Sequence, residues 1–228
     1  MKSNQIIWDE EIAREIAAVL IANGVYSVDF VLDKSLWTKL PDGTITPCYC
    51  NCRYLNRNIN DLKMVINFME TVSRLKFKDI QLIVGLATAG IPLAALLADR
   101  LDLPLSYVRS NTKGYGQGKL VECRPPRGAK ALLIDDLLYT GASLKQSIEA
   151  LNHEYDIQAV GTITIVSLSS WDCQENNWSF FAERQMSLYA LTSYEYLLDE
   201  LIRQRRINKN QYQQLLNFYS RPKTYEWK

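Results

Sequence analysis

Asp135 and Asp136 stand side by side at the end of the apolar run Ala131–Ile134, and the chain then reads Thr140-Gly141-Ala142-Ser143. Two carboxylates so placed can accept hydrogen bonds from the vicinal hydroxyls of a ribose. Backbone amides of a turn that opens a helix, with the hydroxyls of Thr140 and Ser143, can cradle a phosphate on the positive helix end. Gly141 lets the backbone come close to that phosphate. Each part alone has a plainer use, since carboxylates end strands and a serine caps helices. An acidic pair, a spacer and a hydroxyl-rich turn, bounded by strand and helix, points instead to a phosphorylated sugar. The expected contacts run through Leu138, Tyr139, Thr140, Gly141, Ala142 and Ser143.

Other residues invite chemistry of their own. Ala87, Thr88, Ala89 and Gly90 follow an apolar strand and open a helix with Pro92 in its first turn. Ser110 to Gly128 is polar, contains Gly114, Gly116 and Gly118, and is expected to be a mobile surface loop. Cys48, Cys50 and Cys52 alternate on an expected strand and would share one face. Zinc knuckles favour a two-residue gap, so no metal is expected at these thiols.

The elements that must position these groups follow from periodicity. Trp8–Asn23 has helical spacing and stops at Gly24; Val25–Leu32 and Cys48–Tyr54 suit strands; Asn60–Leu75 returns to helical spacing. The middle alternates: strand Ile80–Leu86, helix Ile91–Leu101, strands Leu105–Arg109 and Ala131–Asp135, helix Ser143–Asn152, strand Ala159–Leu168. Such alternation implies a parallel sheet covered by helices, with ligands beyond the carboxyl ends of its strands. Ser193–Tyr219 is expected to form two helices flanking Ile207 and Asn208.

At 228 residues and 47% hydrophobic content the chain suits one α/β unit with appendages. A net charge of +1 gives no field to hold nucleic acid or a membrane surface, and no apolar stretch has the length of a bilayer span. Five cysteines, an odd number, suit reduced thiols and a cytoplasmic setting.

On the acidic pair and its Thr-Gly turn the chain resembles the type I phosphoribosyltransferases, and Ile83 to Glu122 looks like the matching stretch of the orotate phosphoribosyltransferases. The resemblance implies a central, mostly parallel sheet flanked by helices. It also implies an N-terminal hood over residues 1–59, a core over 60–170 and a C-terminal helical appendage over 171–228. Implied too are phosphoribosyl diphosphate and orotate as substrates, Mg2+ near Asp135 and Asp136, and a homodimer sharing its catalytic loop. Lys113 occupies the family's catalytic lysine position, with Arg109 and Tyr115 as further diphosphate contacts. For the base, Lys34, Lys39, Tyr49 and Arg53 are the candidates. The family's Asp-Arg pair, whose arginine grips the orotate carboxylate, is absent from Ser167 to Gln174, which reads SLSSWDCQ. Transfer to another ring, or a regulator that binds phosphoribosyl compounds without turnover, are the alternatives.

Overall fold

The structure is a computed structural model, and it describes residues 7–31, 34–40, 43–110, 119–168 and 177–227. Chain order gives α1 (Glu10–Ala22), β1 (Tyr26–Val28), β2 (Thr38–Lys39), β3 (Ile45–Thr46), β4 (Cys48–Cys50) and α2 (Ile59–Lys76). There follow β5 (Leu82–Leu86), α3 (Gly90–Leu101), β6 (Leu105–Val108), β7 (Val121–Glu122), β8 (Lys130–Leu138), α4 (Ala142–Tyr155) and β9 (Gln158–Ser167). The chain closes with α5 (Trp178–Glu183), β10 (Ser187–Ser193), α6 (Tyr194–Arg203) and α7 (Lys209–Ser220).

The main sheet has the order β10-β9-β8-β5-β6-β7, parallel except for β7. Helices cover both faces, which is why β5 is buried at every position and reads as an unbroken apolar run. One face packs α1, α2, α3 and α6 into a core around Ile16, Val65, Leu97 and Leu197; the other packs α4 and α5 around Ile148, Leu151 and Phe181. From β5 the chain winds through α3 to β6, and from β8 it winds the opposite way through α4 to β9. The reversal between β5 and β8 brings the amino ends of α3 and α4 together beyond the strands, where ligands bind in open parallel sheets.

Gly90 makes this junction tight. A Cβ there would stand 2.4 Å from the Ile134 carbonyl oxygen and 3.2 Å from Asp135 Cα. The glycine has a packing reason, since α3 lies directly on the backbone of β8.

Several expectations are corrected. The strand expected over Cys48–Tyr54 ends at Cys50, and Cys52–Arg57 is a 3-10 helix. Asn51 bonds back to the Val25 carbonyl and accepts from the Tyr54 amide, and the turn buries Cys52 and Leu55 together at three-residue spacing. The three thiols therefore do not share a strand face: Cys48 and Cys52 are buried and Cys50 is half-buried. The strand expected over Val25–Leu32 forms only at Tyr26–Val28. β8 runs three residues past Asp135 because β9 keeps pairing with it, Leu137 to Val166 and Leu138 to Ser167. Part of the expected loop, Val121–Glu122, pairs with β6. Beyond residue 170 the chain is not helical throughout: α5 precedes β10, which forms the sheet edge against β9.

The N-terminal hood consists of two small ribbons, β1 with β4 and β2 with β3. Among the described residues no helix is long and apolar enough to cross a membrane.

Candidate active site

Two cavities lie beyond the carboxyl ends of the strands, of about 600 Å³ and 270 Å³. Asp135, Cys50, Leu137 and Ser143 line both, so Asp135 stands on their common wall. The larger holds the turn from Tyr139 to Ser143, with Leu138 beneath it and Lys39, Tyr49 and Tyr219 opposite. The smaller holds Asp136, Ala87, Arg109 and Ser110.

Asp135 Oδ1 accepts from the Asp136 backbone amide at 2.9 Å, which turns the first carboxylate toward its neighbour's main chain. Burial, then repulsion from Asp136, raises the Asp135 carboxyl well above the usual carboxylate range. Burial also raises Asp136, while the Arg53 guanidinium pulls it down. A half-buried carboxyl pair of this kind favours hydroxyl donors and a nearby cation.

The phosphate turn is built for close approach. Gly141 takes φ +73° as the N-cap of α4, a conformation glycine adopts freely. The Ala142 amide donates to Thr140 Oγ1 at 3.4 Å, and the next amides of the first helical turn have no partner within the helix. Two features the sequence did not reveal hold this turn in place. Asn177 donates to the Thr140 carbonyl through its amide at 3.1 Å and its Nδ2 at 2.9 Å. Phe181 of α5 lies behind the glycine, where an added Cβ would meet its Cε2 at 2.7 Å.

Arg109 reaches the smaller cavity from the end of β6, its Nη1 3.5 Å from Glu122 Oε1. Glu154 of α4 accepts from the Leu120 and Val121 amides at 2.9 and 3.3 Å, fixing the strand that returns beside Arg109. Lys113 and Tyr115 lie outside the described residues, as do Ser169 and Ser170. Thr88 and Ala89 form the turn between β5 and α3, with Ala87 on the cavity wall.

The four candidates for the base separate. Lys39 and Tyr49 line the larger cavity, and among its described wall residues Lys39 is the one cation. Arg53 lies beside Asp136, with its Nε on Asn51 Oδ1 at 2.9 Å. Lys34 points to the chain end, donating from Nζ to the Trp227 carbonyl at 2.7 Å. The floor includes Cys48 and Tyr219, linked through the Tyr26 hydroxyl, 3.3 Å from Cys48 Sγ and 2.9 Å from the Tyr219 hydroxyl. Burial pushes all three groups up, so the floor is uncharged at neutral pH. Tyr219 was invisible as a site residue because it comes from α7, at the far end of the chain.

The phosphoribosyl transferase domain model matches residues 56–180, more than half of the chain. An orotate phosphoribosyltransferase of Fusobacterium nucleatum is 32% identical over 187 residues, 82% of this chain and 85% of that one. One from Cutibacterium acnes is 29% identical over 96% of this chain and 97% of its own. Among solved structures, the orotate phosphoribosyltransferase of Aeropyrum pernix superposes with a TM-score of 0.66 at 26% identity, covering 82% of this chain and 97% of that one. The matched domain, these relatives and the sheet with its carboxylate pair agree: the chain belongs to the type I phosphoribosyltransferase family, among the orotate phosphoribosyltransferases.

Proposed function

We propose that the chain transfers the 5-phosphoribosyl group of phosphoribosyl diphosphate to orotate, giving orotidine 5'-phosphate and diphosphate. One observation carries this reading: the carboxylate pair, the phosphate turn and Arg109 meet in two cavities that share the Asp135 wall. The turn from Tyr139 to Ser143 holds the 5'-phosphate, and Asp135 and Asp136 hold the ribose hydroxyls. The leaving diphosphate occupies the smaller cavity, near Arg109 and the amides from Thr88 to Gly90, and the acceptor ring fills the larger one.

As the bond from the anomeric carbon to diphosphate breaks, positive charge grows on the sugar and negative charge on the departing oxygen. Cations beside that oxygen lower the barrier, and exclusion of water protects the sugar from hydrolysis. Arg109, which lines the smaller cavity, suits this task, and the loop motif gives Lys113 the same one, with Tyr115 as a further contact. In Lys113→Ala, kcat should fall by roughly 10²- to 10³-fold, the cost of one lost transition-state donor. Ribose-phosphate affinity should stay largely intact, and steady-state kinetics with a binding titration reads both. Unchanged turnover would remove Lys113 from the mechanism.

Mg2+ belongs to the same reading, because it keeps several waters and needs few protein ligands, and Asp135 with Asp136 supplies a half-buried acidic pair. When bound, it would neutralise diphosphate charge, while Asp135 and Asp136 would hold it through hydroxyls and water. A cytoplasmic enzyme suits the free thiols of Cys48, Cys50, Cys52 and Cys123. A homodimer is part of the reading through family likeness.

Lys39 suits the orotate carboxylate. A lost hydrogen bond to a charged group costs about 1.5 to 3 kcal/mol, so Lys39→Met should raise the KM for orotate about tenfold or more and leave that for phosphoribosyl diphosphate alone. Ultraviolet assay of orotate consumption tests the whole reading, with loss of orotate expected only when phosphoribosyl diphosphate and Mg2+ are both present. A second reading, another acceptor ring, is favoured by the absence of an arginine from Ser167 to Gln174. Diphosphate exchange without orotate consumption would select it.

A further inference from the structure

Trp227 follows α7 and packs against the hood. Its ring centroid is 5.3 Å from that of Trp37 and 5.9 Å from that of Phe30, both in the hood. On the other side it lies 5.0 Å from Phe218 and 4.8 Å from Tyr225. Its Nε1 donates to the Ile45 carbonyl at 2.9 Å, and its own carbonyl accepts from Lys34 Nζ at 2.7 Å. A single residue thus grips the hood at Phe30, at Lys34 and Trp37, and at Ile45 of β3.

β1 and β4 tie one ribbon of the hood to the core through Tyr26 and Cys48, both buried. The other ribbon is short: among the described residues β2 and β3 pair Thr38 with Thr46 and Lys39 with Ile45, and the Leu40 amide donates to the Thr44 carbonyl at 2.8 Å. A ribbon that short is not stable alone in water. Yet it supplies Thr38, Lys39, Leu40 and Thr46 to the wall of the larger cavity. The other end of the grip is firm, because Phe218 is buried in the core and lines that same cavity.

We propose that Trp227 is a positioning residue for the acceptor. It holds the β2–β3 ribbon over the larger cavity and so sets acceptor affinity from outside the cavity wall; the inference rests on the acceptor occupying that cavity. Apparent affinity falls with the fraction of molecules whose site is formed. A ribbon in place about one time in ten therefore weakens the acceptor about tenfold. The sugar phosphate rests on the turn between β8 and α4, so the ribbon bears on it less than on the acceptor.

Two measurements on full-length Trp227→Ala and Trp227→Phe decide the matter. Hydrogen exchange should quicken over residues 34–46 in Trp227→Ala and stay unchanged over 130–143; equal protection over 34–46 would overturn the proposal whatever the acceptor is. In steady-state kinetics, KM for orotate should rise about tenfold in Trp227→Ala, with KM for phosphoribosyl diphosphate within about twofold of wild type. Trp227→Phe keeps the ring packing and loses the bond to Ile45, so it should fall between the two. A parallel rise of both KM values, or no change in either, would overturn the proposal. A wild-type protein inert toward orotate would count against the assigned reaction alone, because the exchange result still decides whether Trp227 holds the hood.

Discussion

Asp135→Asn should yield a free protein that is more stable at neutral pH and almost inactive. Asparagine keeps an oxygen to accept from the Asp136 amide, at 2.9 Å in the wild type, and removes a half-buried negative charge beside a second one. Burial, followed by Asp136, raises the Asp135 carboxyl in the folded state. The folded protein therefore binds a proton more tightly than the unfolded chain does. That contribution to stability is complete below the ordinary carboxylate pKa of about 3.9 and is lost as pH climbs through the raised value. The variant escapes this loss. Its advantage should be about 1 kcal/mol at pH 7 to 8, a rise of about 2 to 4 °C in Tm, and should shrink toward pH 4. Thermal melts across that range check the sign, and an advantage that grows toward acid would refute it. Meanwhile the ribose hydroxyls lose a charged acceptor. At about 2 to 4 kcal/mol of transition-state binding, kcat/KM should drop roughly 30- to 900-fold.

Gly90→Ala should damage both the fold and the site. Its new methyl would sit 2.4 Å from the Ile134 carbonyl oxygen and 3.2 Å from Asp135 Cα, and both neighbours are backbone in the middle of the sheet. A flexible side chain could swing away; a strand paired on both sides cannot. The cost belongs at the upper end of overpacking, about 3 kcal/mol, or about 6 to 12 °C in Tm. Any relief must push α3 from β8 or bend β8 where its two carboxylates stand, so kcat/KM should fall in the folded fraction as well. Gly24→Ala makes a useful contrast, since no atom lies within 4 Å of its added Cβ and only the φ of +65° is unfavourable. A Gly90→Ala protein that melts with the wild type would show that the two elements can separate at little cost.

Much of the core was legible because its signals are local. α2, α3 and α4 bury one face at helical spacing, and β5 and β8 are nearly continuous apolar runs between helices. The phosphate turn was legible for the same reason, being a short motif at a strand end. β10 was missed because its buried positions include Thr192 and Ser193, which interrupt the apolar pattern. Thr192 is tolerated there because it donates to the Ala13 carbonyl at 2.7 Å, a partner 179 residues away. α5 spans six residues, too few to show a period, although it supplies the Phe181 that backs Gly141. Least legible was the floor of the larger cavity. The bond between the hydroxyls of Tyr26 and Tyr219 joins positions 193 residues apart, and nothing near either tyrosine announces it. The concentration of Phe218, Tyr219, Tyr225 and Trp227 near the end of the chain was the one available hint that this end packs on something.

The wall shared by the two cavities also sets the shape of a tight inhibitor. Among the described residues, Asp135, Leu137, Cys50 and Ser143 stand between the chamber assigned to the ring and the one assigned to diphosphate. A cyclic iminosugar bearing a planar anion on one arm and a diphosphonate on the other would occupy both chambers through a linker that itself binds the carboxylates. Each arm would then meet its chamber at the effective concentration of a tethered group. Such a molecule should compete with both substrates at once, which an analogue of either half cannot do.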